Sequence, residues 1–384
     1  MVANEPSIPK YRLPMSIPDG ATPGGEGERY PTLFRGWYPV CWAAELHRDQ
    51  LLNCVVYGRE FVVYRLPDSR VAALIDRCPH RNVPLSGGKI FSDGTVECPY
   101  HGWRFSADGA CQAVPGLATV PTGISAISVA TLEAGGLVWV WADPSSPPGS
   151  APMIPRTASD PAYTSVRREV EAPASLYRAA ENALDVPHTS ILHRGLFRAG
   201  ARQKVQVTVR RSQNSVEAEY AGERPPQGLL SWILGAGLPK DERNMSVEHW
   251  DRFLLPATIE VEYKLGAAAH FLITAFARPI SLDATKLYVI ASFRTSLPGW
   301  LVRLVLEPIA GFVFRQDSFI LAAQSGSFRR QGAPRYHSTV LDSVGQEIWR
   351  LLKATSDAEK SEEPQSVGSG QPGWISEKRF ELLA

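Results

Sequence analysis

The chain has 384 residues, and at roughly 100–200 residues per domain that length suggests two domains. Its 40 Lys+Arg nearly balance 39 Asp+Glu, a formal charge of +1 that gives no sign of the basic surface a nucleic-acid binder needs. Hydrophobic residues at 44% against charged residues at 21% exclude whole-chain disorder and leave material for a large core.

Residues 1–35 are rich in Pro and Gly, with turn-prone runs at Ile17-Pro18-Asp19-Gly20 and Pro23-Gly24-Gly25, and predict an extended arm laid over the surface. From 36 to 145 the signal is short strands separated by Gly, Pro and Asp turns. Leu52–Tyr57 and Phe61–Leu66 flank a turn at Gly58-Arg59, Val71–Ile75 follows, and Leu137–Trp141 closes a small all-β domain. A Pro/Ser-rich linker over 146–163 leads into a different pattern. A helical segment is expected over Leu176–His193, broken by Pro187. Strands are expected at 204–211, 215–220, 258–264, 271–277 and 287–293, then a long helix over 301–327 kinked near Pro308 and another over 341–353. An antiparallel sheet covered by a late long helix is an α+β layout, spanning 164–355, with a flexible segment over 356–384. No run of about 18 uncharged apolar residues is present, and the N-terminus lacks a basic region followed by an apolar stretch. The expectation is a cytoplasmic protein without a transmembrane segment.

Five cysteines (Cys41, Cys54, Cys78, Cys98, Cys111) are too few and too uneven for a disulfide framework. Two of them fall in paired motifs, Cys78-Pro79-His80-Arg81 and Cys98-Pro99-Tyr100-His101-Gly102-Trp103. Each loop offers one thiolate and one imidazole, so the pair can hold a two-iron, two-sulfide cluster with both Cys on one iron and both His on the other. Neutral imidazoles in place of two thiolates raise the reduction potential, which suits an intermediate electron relay. Structural zinc is the alternative, although zinc fingers usually pair Cys-x-x-Cys with His-x-x-x-His. The two motifs resemble the Rieske iron–sulfur domain, including the proline after each cysteine and the Tyr-His-Gly-Trp run. The other three cysteines lack partners at ligand spacing.

The second constellation is Asn182-Ala-Leu-Asp185-Val-Pro-His188-Thr-Ser-Ile-Leu-His193. His188 and His193 lie five positions apart, about 140° around an ideal helix, so they share no face unless the helix is disturbed. Pro187 supplies the disturbance, because it cannot continue the hydrogen-bond ladder. An electron relay needs an acceptor, and a two-His-one-carboxylate iron(II) site with open positions is the expected partner. Glu181-Asn182 to His193 resembles the corresponding motif of the Rieske non-heme iron oxygenases, a resemblance that now covers nearly the whole chain.

That resemblance implies an all-β Rieske domain followed by a helix-grip, START-like catalytic domain in the α+β class. It implies a [2Fe-2S] cluster on Cys78, His80, Cys98 and His101, and mononuclear Fe(II) on His188, His193 and a carboxylate of the long helix. Asp317, in Arg315-Gln316-Asp317, fits that carboxylate, since an unpaired acid in this apolar stretch would be costly and ligation removes the cost; Glu307 is the weaker rival. By the same resemblance Asp185 bridges His188 to His101 of a neighbouring subunit in a ring-shaped homotrimer, and Asn182 lies near the iron. Electrons would come from NAD(P)H through a flavin reductase, with a ferredoxin, and O2 would be activated against a hydrophobic substrate. The chain length resembles the group that includes demethylases, ketosteroid hydroxylases and sterol-modifying oxygenases. The apolar segments 228–237, 267–277 and 301–314 carry no basic cluster to clamp a carboxylate. A sterol, steroid or other polycyclic lipid is therefore the expected substrate, with O- or N-demethylation of a small aromatic compound, or a pure electron carrier, as alternatives. Trp232, in the apolar 228–237 segment, and His270 are the expected pocket residues.

Overall fold

A computed structural model describes residues 30–193, 204–223, 247–266, 269–295, 297–332, 336–361 and 373–383. The apolar 228–237 segment with Trp232, and most of the N-terminal arm, lie outside the described residues.

The first domain is built from three small antiparallel sheets. One pairs Trp37–Trp42 and Thr131–Ala134 with Leu137–Trp141; a second joins Leu51–Val56, Arg59–Arg65, Val71–Ile75 and Ser128–Val129. The hairpin between Leu51–Val56 and Arg59–Arg65 turns at Tyr57 and Gly58, one residue earlier than expected. Both have positive φ, 47° and 78°, as a two-residue turn matched to the strand twist requires. The third sheet has two- and three-residue strands between 89 and 113 and supports the two Cys/His loops. Its core gathers Tyr64, Leu74, Leu85, Val96 and Phe105 around buried Cys78 and Cys98. Cys41 and Cys54 lie in the apolar core, where burial pushes both thiols up to about 12.

The second domain centres on an eight-stranded antiparallel sheet. Its spatial order is Thr164–Ala172, Ala284–Arg294, Ala269–Ser281, Thr258–Leu265, Val247–Leu254, Ser215–Glu223, Lys204–Arg211 and Ser376–Leu383. One face is covered by the helices Leu176–Leu184 and Ser343–Lys360, whose Leu176, Ile348, Leu351 and Leu352 pack on Val207, Val209, Ala218 and Ile259. The long helix Gly299–Gln331 crosses the opening strand and continues through Pro308. Among the described residues no helix is long and apolar enough to cross a membrane.

The expected flexible segment over 356–384 is corrected at both ends. The last helix runs to Lys360, and Ser376–Leu383 forms an edge strand in full register with Lys204–Arg211. The reason is period-two alternation, which sends Phe380 and Leu382 inward while Glu377, Arg379 and Glu381 face out. Glu347, its carboxylate almost inaccessible, ties this strand down through Lys378 at 3.2 Å and Ser376 at 3.1 Å. The described end of the arm, residues 30–35, is packed into the fold. Leu33 is fully buried, and the Phe34 and Arg35 amides donate to the Glu359 carboxylate.

The two domains are packed together rather than merely strung on a linker. Trp42, Trp139 and Trp141 pack with Phe276, Tyr288 and Ile290 of the large sheet. Tyr288 donates to the Val40 carbonyl at 2.6 Å, and Trp37 Nε1 donates to Gly149 of the linker at 3.1 Å.

Candidate metal centres

The two Cys/His loops repeat one backbone frame. The Cys78 amide donates to Val83 and the Asn82 amide to Cys78; the Cys98 amide donates to Trp103 and the Gly102 amide to Cys98. The fourth residue after each cysteine adopts positive φ, 62° at Asn82 and 69° at Gly102, which Asn and Gly tolerate best. The equivalent loops bring the two thiols together and set the His80 and His101 rings 4.6 Å apart. Burial and the neighbouring Cys98 push the Cys78 thiol up to about 11. Two apposed buried thiols gain little from one another as thiols, but as thiolates they suit one shared iron. His80 Nδ1 is buried without a hydrogen-bond partner, an orphaned nitrogen that ligation to a cluster iron would satisfy. The donor set therefore fits a [2Fe-2S] cluster. Trp103 stacks on His80 at 4.4 Å and 8°, fixing the plane of that imidazole.

The second centre begins where the helix Leu176–Leu184 stops. Asp185 leaves the helical region (φ −87°, ψ 89°), and a four-residue helix restarts at Val186 with Pro187 in its first turn, where a missing N–H costs nothing. The Ile191 and Leu192 amides then close on the His188 carbonyl. This break turns His193 back beside His188, leaving their Nε2 atoms 3.2 Å apart. The long helix brings Asp317 to the same point, with Oδ1 3.1 Å from His193 Nε2 and 3.6 Å from His188 Nε2. His188, His193 and Asp317 form the potential metal-ligand group found among the described residues. Two imidazole nitrogens and one carboxylate on one side suit iron(II) with open positions. Asp317 Oδ1 is buried without a hydrogen-bond partner, which metal ligation would satisfy. Glu307 is exposed on the same helix and lies outside this group.

Surrounding groups orient the three. Gln316 Oε1 accepts from His193 Nδ1 at 2.9 Å, and Asp185 Oδ2 lies 3.6 Å from His188 Nδ1. Burial opposes a charge on His188, yet Asp185 and Asp317 outweigh it and raise its pKa to about 9. Buried Arg178 clips the two helices together, donating to Gln324 Oε1, Ser325 Oγ and the Leu321 carbonyl at 2.9–3.0 Å. Neither Arg178 nor the Gln316 contact was singled out by sequence, because each depends on a helix more than a hundred residues away. A cavity of about 600 Å³ is lined by Glu181, Asn182, Asp185, His188, Leu192 and Tyr220, among others.

His270 is not brought to this cavity. The register pairs it with Lys264 and Arg294, while Tyr220, His249, Tyr263 and Phe271 share the opposite face. Its ring nitrogens are engaged by Tyr163 Oη at 2.5 Å and Glu262 Oε1 at 2.9 Å. The expected pocket role is corrected to a polar tie on the far face of the sheet.

Residues 36–124 match the Rieske [2Fe-2S] domain family, and residues 170–358 match the vanillate O-demethylase oxygenase C-terminal domain. The oxygenase component of dicamba O-demethylase from Stenotrophomonas maltophilia is 30% identical over 54% of this chain and 62% of its own. Cholesterol 7-desaturase from Bombyx mori is 31% identical over 44% of this chain and 37% of its own. The chain thus matches 37% to 62% of the length of these curated relatives. A crystal structure of dicamba monooxygenase bound to 3,6-dichlorosalicylic acid superposes with a TM-score of 0.72 at 22% identity, over 86% of this chain and 99% of that one, and shares the fold.

Proposed function

The chain belongs to the Rieske non-heme iron oxygenases, and we propose that it is a terminal monooxygenase acting on a large hydrophobic substrate such as a sterol, steroid or polycyclic lipid. The observation that carries this is one chain holding both a Cys/His cluster frame and the convergent His188, His193 and Asp317. In this reading Cys78, His80, Cys98 and His101 hold the [2Fe-2S] cluster, and the other three hold iron. Bound iron supplies the redox chemistry of O2 activation at its open positions.

The chain's own side chains bind and orient. Gln316 holds His193 by its Nδ1, so that Nε2 faces His188 and Asp317. Asp185 faces His188 Nδ1 with a carboxylate 39% exposed, available to His101 of a neighbouring subunit in a homotrimer. A reductase, with a ferredoxin, would deliver NAD(P)H electrons to the cluster, and the cytoplasm is the compartment this reading assumes. The match to cholesterol 7-desaturase supports a large polycyclic substrate. A second reading, O-demethylation of a small aromatic compound, is favoured by the vanillate O-demethylase match and the dicamba relative.

The test is reconstitution of purified protein with a generic ferredoxin and reductase, challenged with sterol extracts and with a panel of methoxylated aromatics. A hydroxylated or desaturated lipid supports the first reading, and stoichiometric formaldehyde from an aromatic supports the second. Zinc with no acid-labile sulfide in the isolated protein would overturn both.

A further inference from the structure

Glu181 is an acid that the proposed iron site leaves unused. It lies one helical turn before Asp185 and lines the cavity that His188 lines. Its Oε1 accepts from Tyr177 Oη at 3.0 Å. A pocket is kept open for the carboxyl: a Cβ on Gly345, in the facing helix, would lie 2.7 Å from Oε1.

Beyond Glu181 an aromatic cluster continues to the surface. The Tyr177 ring stacks on Tyr30 at 6.1 Å, and both pack against Trp349. Tyr30 Oη is 3.1 Å from Tyr336 Oη, and Tyr336 is 50% exposed. Burial is the largest influence on Glu181 and pushes its pKa up. The Tyr177 hydrogen bond opposes the rise, Asp185 and the facing Asp342 add to it, and Arg178 pulls it down. Among the described residues, Tyr30 and Tyr336 are further titratable groups that feel its charge.

We propose that Glu181 is a proton donor to the His188 cavity, its carboxyl held by Tyr177 and its proton resupplied from solvent; this rests on the oxygenase reading. Hydroxylation of a C–H bond consumes one O2, two electrons and two protons. The O–O bond breaks, one oxygen enters the C–H bond, and the other leaves as water. The electrons come from the reductase. Glu181 releases its proton to the cavity and becomes a carboxylate, which accepts the Tyr177 hydrogen bond until a proton returns from solvent. The second proton follows by the same exchange. Without substrate, two electrons and two protons reduce O2 to hydrogen peroxide, so O2 alone serves as the probe.

The test has two arms. Infrared difference spectra of the resting holoenzyme at neutral pH, Glu181→Gln against wild type, should show loss of one protonated carboxyl C=O band that shifts in D2O. Chemically reduced holoenzyme is then mixed with O2 in H2O and in D2O, following cluster reoxidation and peroxide. Glu181→Gln, with cluster absorbance and iron content retained, should slow by about 10²-fold, the low end for a lost general acid, and lose the solvent isotope effect. Tyr177→Phe should keep the carboxyl band. Absence of the band, or reoxidation of Glu181→Gln within about two-fold of wild type, overturns this role. Product formation from the substrate pools is scored on wild type separately. Failure of the oxygenase reading would leave the band and peroxide kinetics intact and give no product.

Discussion

At the residue scale, the candidate iron site depends on orientation as much as on ligand identity. Gln316 fixes which nitrogen of His193 faces Asp317, so Gln316→Ala should weaken mononuclear iron binding by about 10–100-fold and leave the cluster spectrum unchanged. Competition of apoprotein with a calibrated chelator measures this, and equal affinities would return Gln316 to a packing role. A second buried imidazole has a different consequence. His249 is held between Glu223 at 2.8 Å and Asp251 at 3.1 Å and stacked between Tyr220 and Tyr263. Burial opposes its charge, but Asp251 and Glu223 prevail and raise its pKa from 6.5 to about 9. A folded-state pKa above the unfolded value means stability fully present below pH 6.5 and lost as pH rises through about 9. The loss should amount to about 3 kcal/mol, read by urea denaturation on either side of that window, and His249→Gln should flatten the dependence.

At the element scale, two segments show local pattern and tertiary context dividing the work. The break at Asp185 was legible, because Pro187 and the five-residue His spacing together forbid a regular helix carrying both imidazoles. The edge strand Ser376–Leu383 was not: its charged alternation resembles an exposed tail until Lys204–Arg211 is placed beside it. Leu382 is 3% exposed there, so Leu382→Ala should cost about 3 kcal/mol, within the usual range for a buried leucine. Chemical denaturation gives the value, and a loss below about 0.5 kcal/mol would show the strand is dispensable. Strand Thr164–Ala172 escaped notice for a related reason. Its Arg167, Arg168, Glu169 and Glu171 leave too few apolar residues to signal a strand, yet it pairs along its full length with Ala284–Arg294.

At the scale of the whole molecule, the proposed electron route crosses between subunits. If Asp185 serves His101 of the next chain, two individually inactive variants should complement. Chains carrying Asp185→Ala and chains carrying His101→Ala, co-expressed with different tags and purified as mixed oligomers, should recover part of the wild-type turnover. Some interfaces in such a mixture join an intact Asp185 to an intact His101. Mixed oligomers as inactive as either parent would place the route within one chain.

The short-range chemistry was determined by sequence alone. Paired Cys-Pro-His and Cys-Pro-Tyr-His loops, and the Asp185-x-x-His188-x-x-x-x-His193 run, carry their ligand spacing within a few residues, so local geometry is enough to recognise them. Asp317 was reachable through the family resemblance, which implies a carboxylate on the long helix, with the cost of an unpaired acid in an apolar stretch as support. Tertiary structure alone decided the contacts that link distant segments. Arg178 meets Gln324 and Ser325, Gln316 meets His193, and Gly345 makes room for Glu181 only once helices remote in sequence are packed together. His270 was decided by strand register, since a shift of one residue in a two-residue repeat exchanges the faces of the sheet.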